Sequence, residues 1–287
     1  MGSTSRCPVI FDGLGTGGQD PAAAASVTVC EWNDLAEMEH VLSEGDVAAI
    51  IMEPVAVNGG CFLPAPGYLE AVRDLAHRSG AILIFDEVIT GFRVALGGAQ
   101  EVFGILPDLT ILGKALGAGF PISSVCGSEK VMEVVRSRKV AHVGTFNANP
   151  VCSAAAHAAL TELEAGANSI YPRLTFLMDE LASILVEETA AVGLPLTVNH
   201  FGSAGHAFAS AAPVQTPQEG EESDGELYRR FAAALLTEGI HVIPRGLLYV
   251  SIAHSDQHLE RTRRATRRAA EAVARNLSEA SIRSPTT

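Results

Sequence analysis

Two short apolar runs, each closed by an acidic residue and separated by a helical segment, constrain this chain most. The first is Val47-Ala-Ala-Ile-Ile-Met52, closed by Glu53-Pro54, and the second is Ala81-Ile-Leu-Ile-Phe85, closed by Asp86. Unbroken apolar runs of this length suit strands buried on both faces, as in a parallel sheet. Between them, Tyr68, Leu69, Val72, Leu75 and Ala76 recur at helical spacing from Pro66 to His77, and Gly80 ends the helix. Strand, helix and strand in this order predict the α/β class with a mostly parallel sheet.

The pattern continues. Asn33 or Asp34 can cap a helix over 34–43, and short strands are expected at 109–112 and 122–126. A small-residue helix over 151–165 and a longer one over 171–191 follow. Strands are expected at 194–199 and 204–209, with an exposed Pro-, Gln- and Glu-rich loop at 211–224. A helix near 224–238, strands at 240–243 and 248–252, and a basic helix at 256–276 complete the chain. The expected organisation is a flexible segment at 1–26, a large α/β domain at 27–168 and a smaller C-terminal α+β domain at 169–287. The run Gly13-Leu-Gly-Thr-Gly-Gly18 lacks the Gly-Lys-Ser/Thr ending of a phosphate loop and reads as a flexible loop.

Bulk properties narrow the partners. The 287 residues carry a net charge of −13, which disfavours nucleic acid and anionic membrane surfaces. The five cysteines (Cys7, Cys30, Cys61, Cys126, Cys152) form no CxxC pair and no metal-ligand spacing with histidine. Reduced thiols, no transmembrane-length run and no export signal lead to the expectation of a cytoplasmic protein.

The chemistry-bearing residues cluster around Lys114, in Leu109-Thr-Ile-Leu-Gly-Lys114-Ala-Leu-Gly-Ala-Gly119. Glycines on both sides permit tight turning and close approach of a ring. A solvated surface lysine is the ordinary alternative; a desolvated lysine near positive groups is a competent amine nucleophile. Asp86, at the end of a buried parallel strand, faces the crevice where α/β proteins bind ligands, although a lone aspartate also caps helices and turns. Val88 emerges on the same side as Asp86 and either presses on a ring or packs in the core. Glu53 ends its strand as Asp86 does and has either a binding or a strand-terminating role. Gly144-Thr145 precedes a helix, where N–H groups favour anions and where capping is equally ordinary. An amine, a strand-end carboxylate and a later Gly-Thr are what pyridoxal phosphate (PLP) needs for its aldehyde, its pyridine nitrogen and its phosphate. His254 reads as structural, and the arginines of 261–268 as a solvated helix face pairing with acidic neighbours.

Taken together, Ile50-Ile-Met-Glu53-Pro54, Leu83-Ile-Phe-Asp86-Glu-Val88-Ile-Thr-Gly91-Phe-Arg93, Pro107-Asp-Leu-Thr-Ile-Leu-Gly-Lys114 and Gly144-Thr145-Phe-Asn-Ala-Asn-Pro150 resemble the class III PLP-dependent aminotransferases. Gly91-Phe-Arg-Val-Ala-Leu-Gly-Gly-Ala-Gln100 and Val250-Ser-Ile-Ala-His254 look most like the glutamate-1-semialdehyde 2,1-aminomutase group within them. The resemblance spans about 25 to 276. It implies the PLP-dependent transferase fold type I, with a homodimer sharing its sites between subunits. It also implies that Lys114 forms the Schiff base and Asp86 pairs with the pyridine nitrogen. Val88 would pack on the ring, Gly144 and Thr145 would serve the phosphate of the partner subunit's cofactor, and Glu53 would lie on the substrate side.

Members of that family also carry a long region before the part that matches here. By the resemblance it supplies the first strand of the large domain, a phosphate-cradling loop and an aromatic residue for the other ring face. The expected large domain is therefore incomplete. Three expectations follow: a split enzyme completed by an N-terminal partner chain, a truncated product, or a catalytically incompetent paralogue serving as a binding or structural subunit.

Overall fold

The computed structural model describes residues 20–283. The glycine run at 13–18 and most of the expected flexible segment at 1–26 lie outside the described residues. The chain forms two compact units. One comprises 20–56 with Leu63–Tyr171, and the other Val57–Phe62 with 172–283.

The first unit opens with the short helix α1 (Pro21–Ala25) and helix α2 (Leu35–Ser43), which Asp34 caps through the Glu37 N–H. Strand β1 (Ala49–Met52), helix α3 (Tyr68–Ser79) and strand β2 (Ile82–Asp86) follow. Gly80 ends α3 with φ +77°, a left-handed cap that suits glycine. Helix α4 (Gly98–Phe103), strand β3 (Leu109–Leu112), a 3₁₀ turn at Lys114–Gly117, strand β4 (Ser124–Gly127) and helix α5 (Glu129–Arg136) complete the series. The sheet order is β1-β2-β3-β4, parallel throughout except for the antiparallel β3–β4 pair.

One face of this sheet packs on α2 and α3. Ile50, Leu83 and Phe85 join Met38, Leu42, Tyr68, Leu69 and Val72 in a single core. Each fully buried side chain of this kind contributes about 1.5–3 kcal/mol. The opposite face differs from the sequence expectation of strands buried on both sides. Ile51 is 61% exposed and Val125 45% exposed, and Ile84 and Ile111 are only half-buried. The apolar runs fit a two-sided burial that the elements present provide on one side only.

Helix α6 (Pro150–Ala190) replaces the two helices expected at 151–165 and 171–191. It runs through Gly166 and Pro172, residues that cost a helix interior about 1 and 3 kcal/mol. Burial of Leu174, Leu177, Met178 and Leu185 beyond the proline offsets that cost. The boundary between the two units falls at this proline.

In the second unit, β5 (Thr197–Phe201), β6 (Ala204–Phe208) and β7 (Leu247–Tyr249) form an antiparallel sheet in that order. Helices α7 (Pro217–Glu221), α8 (Gly225–Thr237) and α9 (Asp256–Arg283) accompany it. The segment Val57–Phe62 belongs here because Asn199 Nδ2 donates to Gly60 O at 3.1 Å and the Phe62 ring stacks near Phe208. Two expectations are corrected. The 211–224 stretch is not all loop: Thr216 and Glu219 close a capping box on α7. Residues 240–243 are not a strand. The free edge of β6 is taken instead by Leu247–Tyr249, after a turn in which Gly246 N donates to Ile243 O. The arginines of α9 pair with acids, Arg263 and Arg267 with Glu188 and Arg268 with Glu238. Among the described residues no helix is long and apolar enough to cross a membrane.

Candidate active site

Parallel pairing gathers the carboxyl ends of three strands. Met52 on β1 pairs with Phe85 on β2, so Glu53 and Asp86 each follow the last residue of the β1–β2 pairing. Asp86 in turn lies opposite Ile111 on β3, three residues before Lys114. This end of a parallel sheet is where α/β proteins place ligands.

Asp86 is half-buried, and its Oδ1 accepts the Val88 N–H at 3.0 Å. Val88, also half-buried, lies over Gly113: a Cβ built there would be 3.5 Å from Val88 Cγ1. Asp86 and Lys114 are thus linked by a short path through Val88 and Gly113. Lys114 itself stands at φ +43°, a left-handed conformation that non-glycine residues adopt at a cost of about 1–3 kcal/mol and that clusters at functional positions. Lys114 is exposed, the solvated one of its two sequence alternatives. The covering residues that would desolvate it are not supplied by the strands and turns around it. Glu53 is half-buried just beyond β1.

Gly144 and Thr145 are not brought into this cluster by any described hydrogen bond of Thr145. They occupy an exposed turn closed by Asn147 N–H to Gly144 O at 3.1 Å. They also do not abut a helix start directly. The first turn of α6 begins at Pro150, and Asn149 Oδ1 caps it through Val151 N and Cys152 N. The surrounding stretch displays Val143 at 87% and Phe146 at 81% exposure.

The sequence reading passed over Glu87. It is fully buried, and its carboxylate accepts from Thr90 Oγ1 at 2.9 Å, Ala99 N at 2.6 Å and Gln100 N at 2.9 Å. The available signal was strand alternation: with Asp86 on the open side, its neighbour must turn toward the core. His254 has a local role, its Nδ1 accepting the Ser251 N–H at 3.0 Å. It lines a cavity of about 260 Å³ in the second unit, with His258 and apolar residues such as Leu181 and Leu259.

The donor set is an amine, a carboxylate fixed by a backbone N–H and an apolar side chain on a glycine. That set suits PLP, whose aldehyde, ring nitrogen and ring face need one of each.

Comparison with known proteins agrees with this architecture. The family model described as aminotransferase class-III matches residues 20–256. The glutamate-1-semialdehyde 2,1-aminomutase of Pelotomaculum thermopropionicum is 41% identical over 257 residues, covering 88% of this chain and 59% of the relative. That of Salinibacter ruber is 36% identical over 255 residues, covering 87% and 58%. An omega-transaminase from Sphaerobacter thermophilus superposes with TM-score 0.82 at 31% identity, covering 91% of this chain and 60% of that one. A transaminase with PLP bound gives TM-score 0.81 at 27% identity, covering 91% and 61%. The chain thus spans about three-fifths of the length of the curated relatives it matches. With a matching model over most of its length, and a carboxylate and a lysine at the ends of adjacent strands, the chain belongs to the class-III aminotransferase family.

Proposed function

We propose that this chain carries the lysine and ring-nitrogen side of a PLP-dependent amino-group-transfer site, with aminotransferase or glutamate-1-semialdehyde 2,1-aminomutase chemistry. The site is completed by polypeptide corresponding to the rest of the relatives' length. The observation that carries this reading is the path Asp86–Val88–Gly113–Lys114 across two adjacent parallel strands.

The bound cofactor supplies an electron sink for bond changes at the substrate carbon bearing nitrogen. Lys114 Nζ would hold the cofactor and would be placed to move the proton at that carbon. The Asp86 carboxylate holds the proton on the ring nitrogen through charge. Val88 covers one ring face and excludes water there. Glu53 faces the substrate, and Gly144 and Thr145 serve the phosphate of a partner subunit's cofactor. A homodimer, or a complex with an N-terminal partner chain, is supported by the exposed Val143 and Phe146 beside Thr145. Completion by further polypeptide is supported by the apolar sheet face left open at Ile51 and Val125, since parallel sheets are normally covered on both faces.

The test is to mix the purified chain with PLP, alone and with the complementary portion of a relative, then reduce with borohydride and map peptides. Label on Lys114 is expected once the complement is present. Label elsewhere, or none with the complement, overturns the reading. Formation of 5-aminolevulinate from glutamate-1-semialdehyde selects the aminomutase; transfer to a separate keto acid selects the aminotransferase.

A further inference from the structure

We infer that Glu87 is a positioning residue for the candidate site, fixing the backbone that presents Asp86 and Val88; this rests on the function proposed above. Glu87 is a carboxylate with no solvent exposure, held by neutral donors. Its N–H donates to Ile111 O at 2.9 Å and its carbonyl accepts from Gly91 N at 2.8 Å. One residue therefore ties the end of β2 to β3, to the turn at Gly91 and to the start of α4. Gln100 Nε2 extends the link to Thr110 Oγ1 at 3.4 Å.

The loop between Glu87 and Gly98 contains Val88, whose N–H sets the Asp86 carboxylate and whose side chain lies on Gly113 beside Lys114. Two glycines make this clasp possible. A Cβ at Gly98 would collide with Glu87 Oε2, and one at Gly91 would lie 2.7 Å from Glu87 O. A buried carboxylate can accept from several N–H groups at once; a glutamine in its place presents an NH₂ to donors and leaves one of them unpaired. The 87–88 peptide then loses its fixed orientation, and with it the hydrogen bond that holds Asp86.

The experiment uses the complemented, PLP-loaded protein with Glu87→Gln, the milder Thr90→Val and Asp86→Asn. It reads hydrogen exchange at the Val88 amide without cofactor, PLP retention, and the pH profile of the bound cofactor's absorbance. Glu87→Gln is expected to speed exchange at Val88 and to weaken PLP retention about tenfold, as loss of a supporting contact does. It should also shift the pH profile in the direction Asp86→Asn shifts it. Thr90→Val should do the same to a smaller degree, and it decides the matter if Glu87→Gln does not fold. Parental exchange and a parental pH profile in both variants, with Asp86→Asn altering the profile, overturn the positioning role and leave the proposed function standing. A parental profile in Asp86→Asn overturns the proposed function itself.

Discussion

The Val88 N–H donates to Asp86 Oδ1 at 3.0 Å, so the orientation of the strand-end carboxylate is set by the backbone of the residue that also covers Gly113. Charge and geometry at Asp86 are therefore separable. Asparagine keeps an oxygen for the Val88 N–H and removes only the charge. In the complemented enzyme, Asp86→Asn should lower amino-group transfer about 10²-fold or more, as loss of a preorganised electrostatic partner does. Its unfolding midpoint should stay at the parental value. Lys114→Ala should abolish borohydride-stable labelling and lower turnover by about 10²–10⁴-fold for the lost proton transfer alone. Single-turnover kinetics and denaturant unfolding on the same preparations check both.

Gly98 stands at φ +75° with no room for a Cβ against the Glu87 carboxylate. Gly98→Ala forces a left-handed alanine and displaces a buried acid from its N–H donors. Loss of about 2 kcal/mol or more is expected in urea unfolding. Gly104, also at positive φ but with open space around its Cα, should lose less on substitution to Ala, about 1 kcal/mol.

Glu188 is buried at the end of α6 between Arg267, whose Nε donates to Oε2 at 2.7 Å, and Arg263. The Arg267 hydrogen bond is the largest cause of its lowered carboxyl pKa; burial opposes it and Arg263 adds to it. A depressed folded pKa contributes stability above the unfolded value, roughly pH 4.3, and loses it as pH falls through the folded value. The stability gap between the parent and Glu188→Gln should therefore be largest near neutral pH and should shrink below about pH 4. Urea unfolding as a function of pH measures it, and a gap that widens in acid contradicts the assignment.

Burial pushes the His206 pKa down to about 4, and its Nδ1 is buried without a hydrogen-bond partner. The ring lies 4.3 Å from Phe208 on the same strand. Unfolding returns the imidazole to an ordinary value near 6.5, so the unfolded state takes up the proton first as pH falls. Stability is full above about pH 6.5 and declines toward pH 4, by at most about 3 kcal/mol from this residue. His206→Gln should flatten that slope, as followed by thermal unfolding across the window.

The strand-end positions of Asp86 and Lys114 were legible in the sequence because each follows an apolar run, and such runs end at the ligand edge of a parallel sheet. Val88 was legible from its two-residue offset. Glu87 was not, since an acid beside Asp86 reads as a second exposed charge until alternation is applied to it. The strand expected at 240–243 failed for a different reason. Its composition suits a strand, but the partner edge on β6 pairs with Leu247–Tyr249, and pairing decides which apolar run extends the sheet. The two expected helices fused into α6 because packing beyond Pro172 outweighs the local penalty of the proline.

By itself the sequence determined what is local: the alternation of strand and helix, the capping residues Asp34 and Gly80, and the run ends that carry Glu53, Asp86 and Lys114. These follow from periodicity and backbone sterics over a few residues. Only the tertiary structure decided that Asp86 pairs in register with Ile111, that Val88 rests on Gly113 and that the Glu87 carboxylate closes onto Ala99 and Gln100. Those contacts join residues 12 to 25 positions apart, and they form because buried N–H groups and carboxylates must find partners across the chain.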